Sequence, residues 1–65
     1  MTICDLYKVN IDPIRHVEIY DRSKDMLLYE GKIDLVPVEL LKKEIIELEP
    51  MISLRLYKVT YTIQV

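Results

Sequence analysis

Apolar and polar residues alternate along much of this chain, with the period of two that side chains follow on a half-buried β-strand. In TICDLYKVNID, residues 2–12, Ile3, Tyr7, Val9 and Ile11 share one parity, and Thr2, Lys8, Asn10 and Asp12 share the other. The pattern predicts a strand. Asp12-Pro13 closes it, because proline biases the residue before it towards extended or turn geometry and brings no N–H to a ladder. Residues 15–21, RHVEIYD, set Val17 and Ile19 against His16, Glu18 and Tyr20. The polar run DRSKD at 21–25 supplies the Asp and Ser side chains that stabilise turns. Residues 26–31, MLLYEG, return as the second strand of a hairpin. Both of its faces are apolar, the pattern of a strand that is central or covered on both sides.

Gly31 is the sole glycine, and its place at a strand end predicts a bulge or a turn with positive φ. Pro37 fits the first turn of a helix, where a missing N–H costs nothing. Glu39 complements the helix dipole there, and residues 40–44, LLKKE, are good helix formers. Two continuations are open. Val38, Leu41, Ile45 and Leu48 sit at helical spacing and allow a helix over 37–48, whereas Ile46 and Leu48 alternate with Glu47 and Glu49 and allow a strand over 44–49. The adjacent isoleucines favour a helix of about two turns followed by a strand, with Pro50 marking the turn into the last segment.

Residues 51–65, MISLRLYKVTYTIQV, read as one long strand. Ile52, Leu54 and Leu56 share one parity, and Tyr57, Val59, Tyr61, Ile63 and Val65 share the other, so the apolar face switches at Leu56-Tyr57. Either a bulge there keeps both halves on one core, or the second half packs against something else. The string Leu6-Tyr7-Lys8-Val9 recurs as Leu56-Tyr57-Lys58-Val59, as two strands built from common strand residues or as two equivalent places in a sheet. Together these patterns predict an α+β fold for a single domain over residues 1–65: a small, mostly antiparallel β-sheet with one short helix packed on one face. Val17, Ile19, Leu28, Leu41, Leu54 and Leu56 are its expected core.

Composition changes this picture in one respect. At 65 residues, with 51% hydrophobic and 31% charged, the chain is globular and not disordered. Burial of apolar surface is worth about 100 kcal/mol, and ordering the chain costs about the same. One Cys and one His make neither a disulfide nor a four-ligand Cys/His zinc site. No metal and no cofactor are expected, which leaves self-association as the supplement to stability. The net charge of −2 gives no strong field of either sign, and no uncharged run approaches a membrane span. A cytoplasmic protein with no membrane partner is expected, and an unpaired Cys4 suits a reducing compartment.

The middle of the chain carries a resemblance. Leu28-Tyr29-Glu30-Gly31-Lys32, then Val36-Pro37-Val38-Glu39-Leu40-Leu41, then Glu44-Ile45 resembles small uncharacterised phage and mobile-element proteins of Firmicutes, with a YEG-like step, a short PxELL-like helix and a closing hairpin. The likeness covers about residues 16–56. At its ends the chain departs from the pattern, adding the strand at 2–12 and extending the last strand to Val65. The resemblance implies no catalytic residues. It implies attachment to a host protein in the host-cell cytoplasm, including inhibition of a host or defence enzyme.

Candidate chemistry is sparse. His16 would be the general base of any catalytic group, with Asp12, Glu18, Asp21 and Ser23 near it in sequence, but a lone histidine on an exposed strand face reads as a solvated side chain. Cys4 has no cation before Lys8 to activate it and reads as an inert strand residue. Glu39, Glu44, Glu47 and Glu49 form an acidic face around the helix that could meet a basic partner, interleaved with Lys42 and Lys43. Every aromatic is a tyrosine, the residue enriched where one end stays wet. Tyr7, Tyr57 and Tyr61 are expected on one sheet face, with Tyr7 and Tyr29 in the core. Lys8, Arg22, Lys24, Arg55 and Lys58 could form a basic strip for single-stranded nucleic acid.

The expected function is therefore a small non-enzymatic protein-binding module that pairs with itself. Its interface is expected at Tyr57, Val59, Tyr61 and Ile63, on an uncovered edge of the last strand. A module binding single-stranded nucleic acid is the alternative.

Overall fold

The computed structural model describes residues 1–9, 12, 14–55 and 57–65. It is a small α+β fold. The elements in chain order are helix α1 (Ile3–Val9), strands β1 (His16–Asp21) and β2 (Met26–Lys32), a 3-10 turn at Ile33–Leu35, helix α2 (Val38–Leu41), and strands β3 (Glu47–Ser53) and β4 (Lys58–Gln64). The four strands form one sheet in the order β2-β1-β4-β3. Each outer pairing is antiparallel, and the central β1–β4 pair is parallel. Two hairpins are thus laid side by side, with the helical segments crossing one face.

That face holds the core. Val17 and Ile19 of β1 lie beside Tyr61 and Ile63 of β4 in register. Ile3, Leu6, Val17, Ile19, Ile33, Val36 and Ile63 are the buried apolar residues, and Leu28, Tyr29, Leu40, Leu41, Ile45, Tyr61 and Val65 pack around them. The assignment of Val17 and Ile19 to the core holds, and Leu28 and Leu41 contribute from its margin. Leu54 does not: it is 82% exposed, because it stands in the turn between β3 and β4. Leu56 lies outside the described residues.

The expected first strand is instead a helix. Its signal is local: the Thr2 amide donates to Asp5 Oδ2 at 2.9 Å, and the Asp5 amide donates to Thr2 Oγ1 at 3.2 Å. This reciprocal pair satisfies amides that a helix start leaves unpaired. Ile3 and Leu6, three apart, then share the buried face. Tyr7 is exposed on this helix and not in the core, and Cys4 is half-buried on it.

The hairpin β1–β2 forms as expected, with Asp21 opposite Met26 across a four-residue turn. Asp21 Oδ1 accepts from the Ser23 hydroxyl at 2.7 Å and from the Ser23 and Lys24 amides at 3.0 and 3.3 Å. β2 is an edge strand and not a central one, and Met26 and Leu27 are exposed. The register slips between Ile19 and Tyr20, which pair with Tyr29 and Leu27 and leave Leu28 as the extra residue. That bulge explains why adjacent Leu28 and Tyr29 both reach the core. Gly31 has φ 152°, and a Cβ there would lie 2.7 Å from the Tyr29 hydroxyl, which donates to the Lys32 carbonyl. The glycine leaves room for that ring.

The helix after Pro37 makes one turn, not two. Residues 43–45 are diverted into backbone pairing with the chain start: the Ile3 amide donates to Lys43 O, and the Ile45 amide to Met1 O. The last fifteen residues are a hairpin and not one long strand. Pro50 sits within β3, opposite Tyr61, at a sheet edge where a missing N–H is tolerated. The turn comes later, with Tyr57 at φ 54°. The parity switch follows from this geometry. Across the hairpin Ile52 pairs with Val59 and Leu48 with Ile63, so an even-numbered and an odd-numbered set share one face. The repeated string has no structural equivalence over its described residues, since residues 6–9 are helix whereas Tyr57 is in a turn and Lys58 and Val59 begin β4.

Truncating Ile63 to Ala is expected to cost about 2–5 kcal/mol, and truncating the exposed Leu54 to Ala markedly less. Urea unfolding of the two variants checks this, and comparable losses would contradict the placement of Leu54.

Candidate functional site

The face of the sheet turned away from the helices is polar because the alternate residues of its strands point there. His16, Glu18 and Tyr20 of β1 lie beside Thr60, Thr62 and Gln64 of β4. Glu18 is also the direct cross-strand partner of Glu30 on β2. His16 is only 9% exposed, so it is not the solvated side chain its strand position suggests. Its Nδ1 lies 3.2 Å from Thr60 Oγ1, and its Nε2 lies 3.4 Å from Glu30 Oε2. Arg55, from the β3–β4 turn, reaches the same Glu30 oxygen at 3.2 Å. The Tyr20 hydroxyl donates to Glu18 Oε1 at 3.0 Å, and this bond to a carboxylate raises the phenol's pKa.

Beside this cluster is a shallow, half-open depression of about 420 Å³, lined by Glu18, Tyr20, Asp21, Arg22, Asp25, Thr62 and Gln64. Ser23 and Asp21 stand at the far end of β1 from His16, whereas Glu18 joins the histidine.

A second surface lies on the opposite face, along the outer hairpin. The helical cover stops short of β3, so Leu48, Ile52 and Val59 are exposed on the side that elsewhere holds the core. Ile52 is 75% exposed, and Leu54 and Tyr57 in the turn are 82% and 91% exposed. The expected interface is divided by this arrangement. Tyr57 and Val59 are at the surface, Tyr61 is half-buried with the Arg15 guanidinium 5.2 Å from its ring centre, and Ile63 is fully buried. β4 is paired on both sides, so it has no free edge, and residues 57–65 cannot pair with a second chain as a strand.

The expected acidic face is also divided. Glu39 is on α2, Glu44 pairs with the terminal amine at 3.1 Å, Glu47 of β3 pairs with Arg22 at 3.7 Å, and Glu49 is exposed on β3. Among the basic residues, Lys8 is on α1. Arg22 and Lys24 are in the turn after β1, whereas Arg55 and Lys58 are in and after the turn before β4. Since β1 and β4 run parallel, the two turns are at opposite ends of the sheet. Compared with known proteins, no family model, no curated protein and no solved structure matches this chain.

The Asp21 carboxyl is held below its ordinary pKa of 3.8, first by the Ser23 hydroxyl and also by the Ser23 and Lys24 amides. A lowered folded pKa stabilises the turn above the ordinary value, and that contribution is lost as pH falls through the folded value. An NMR titration should place the Asp21 midpoint below 3.8, and Ser23→Ala should move it upwards. A midpoint unaffected by Ser23→Ala would contradict the turn geometry.

Proposed function

We propose that this chain is a non-enzymatic protein-binding module that associates with a second copy of itself through the apolar face of the β3–β4 hairpin. The observation that carries the reading is the cross-strand pair Ile52 and Val59, both exposed, continued by Leu48 and by Leu54 and Tyr57 in the turn. Contiguous exposed apolar side chains, unlike singly scattered ones, mark interaction sites on soluble domains. A two-fold axis through the hairpin would let each row cover the other, a self-complementary contact. The contact is face to face, because Pro50 leaves the β3 edge a poor template for a further strand. The small core supports the same reading, since a chain of this length buries only about 60% of its unfolded surface unaided. Among the described residues no helix is long and apolar enough to cross a membrane. The resemblance to phage and mobile-element proteins extends the proposal to a host protein as the dimer's target.

Sedimentation velocity at high micromolar concentration is expected to give a dimer for the wild type. The Ile52→Glu, Val59→Glu double variant should be a monomer with an unchanged circular dichroism spectrum, since both side chains are exposed. A monomeric wild type would overturn the proposal. Binding of single-stranded nucleic acid that weakens steeply with salt would instead favour the basic residues as the working surface.

A further inference from the structure

We propose that His16, Glu18 and Glu30 form a binding site for a divalent transition-metal cation, with zinc the best match. Among the described residues, a ring nitrogen of His16 and one carboxylate oxygen from each glutamate lie within 4.8 Å of one another. Zinc bonds of about 2.1 Å to nitrogen and oxygen set tetrahedral ligand atoms about 3.4 Å apart. The His16 Nε2 to Glu30 Oε2 separation is already 3.4 Å. Rotation of Glu18, which is half-buried, brings in the third ligand.

Two independent features point to a cation here. Glu18 and Glu30 are direct cross-strand partners on one face, a like-charge pairing that destabilises a sheet unless something positive lies between. The nine-tenths-buried His16 is oriented by Thr60. Its other ring nitrogen, Nε2, is turned to the Glu30 carboxylate at 3.4 Å, so the ring is held by Thr60 with one nitrogen aimed at the glutamates. A hydrogen-bond partner on the other ring nitrogen is the usual companion of a ligating histidine. Tyr20 steadies Glu18 in the same way from outside. One imidazole with two carboxylates and no sulfur suits zinc and its first-row neighbours better than calcium or magnesium. Arg55 is the resident competitor. Its guanidinium holds Glu30, but its side chain is three-quarters exposed in a turn, so an entering cation can displace it. Three protein ligands leave a position open to water.

The test is calorimetric titration of the metal-free protein with zinc chloride. Saturable binding of one equivalent is expected, unaffected by excess magnesium. Glu18→Gln and Glu30→Gln should each weaken it at least about tenfold, and Thr60→Val by about 10–100-fold. Arg55→Ala should tighten it, a direction that general damage to the fold does not produce. Cys4→Ser should leave it unchanged. If a variant unfolds by circular dichroism, zinc-induced shifts of the His16 ring signals in wild-type NMR spectra decide. Absence of one-to-one binding, an unchanged affinity in Glu30→Gln, or His16 signals indifferent to zinc would overturn the proposal.

Discussion

The structure depends on the parallel pairing of β1 with β4. Two hairpins, distant in sequence, are joined there into one sheet, and the pairing puts Val17 and Ile19 beside Tyr61 and Ile63. These are the residues on which α1 and the segment after β2 pack. Antiparallel hairpins can form from local contacts, but a parallel pair needs a crossover. The chain between β2 and β3 supplies it and buries Ile33 and Val36 on the way. The polar and apolar faces of the sheet both follow from this one register. The same pairing that buries Ile63 places Thr60 against His16 on the other side.

The helical layer is short, and this shapes the functional surface. Seven residues of α1 and a single turn of α2 cover the middle of the sheet and leave β3 bare. The exposed row along the outer hairpin is the side of the core that the chain itself does not cover. A second copy is the simplest complement to such a row, and the proposed association is a consequence of the cover's length more than of any special motif.

Much of this was legible in the sequence, and the failures have physical causes. The first hairpin, its polar turn and the core roles of Val17 and Ile19 followed directly from alternation, and the fold class followed with them. Residues 2–12 alternate as well, yet the Thr2–Asp5 capping pair outweighed the parity of Ile3, Tyr7 and Val9; a Thr-x-x-acid spacing at a segment start was the signal to read. Tyr-Lys-Val is helix at residues 7–9 and turn-to-strand at residues 57–59, because tertiary context decides for so short a string. The parity switch at Tyr57 was real, but it marked a hairpin, which pairs even with odd positions. The His16 cluster was hidden because Glu30 and Thr60 join it only across strands, and counting Cys and His alone leaves carboxylates out.

In the proposed association the outer hairpin is bare in the isolated chain and covered by a second copy. Hydrogen–deuterium exchange over a dilution series distinguishes the two states, because protection that depends on association falls as the dimer dissociates. The non-proline amides of residues 47–53 and those of residues 57–59 should lose protection on dilution, while those of residues 17–19 and 61–63 keep theirs. Protection of the outer hairpin that is independent of concentration would contradict it.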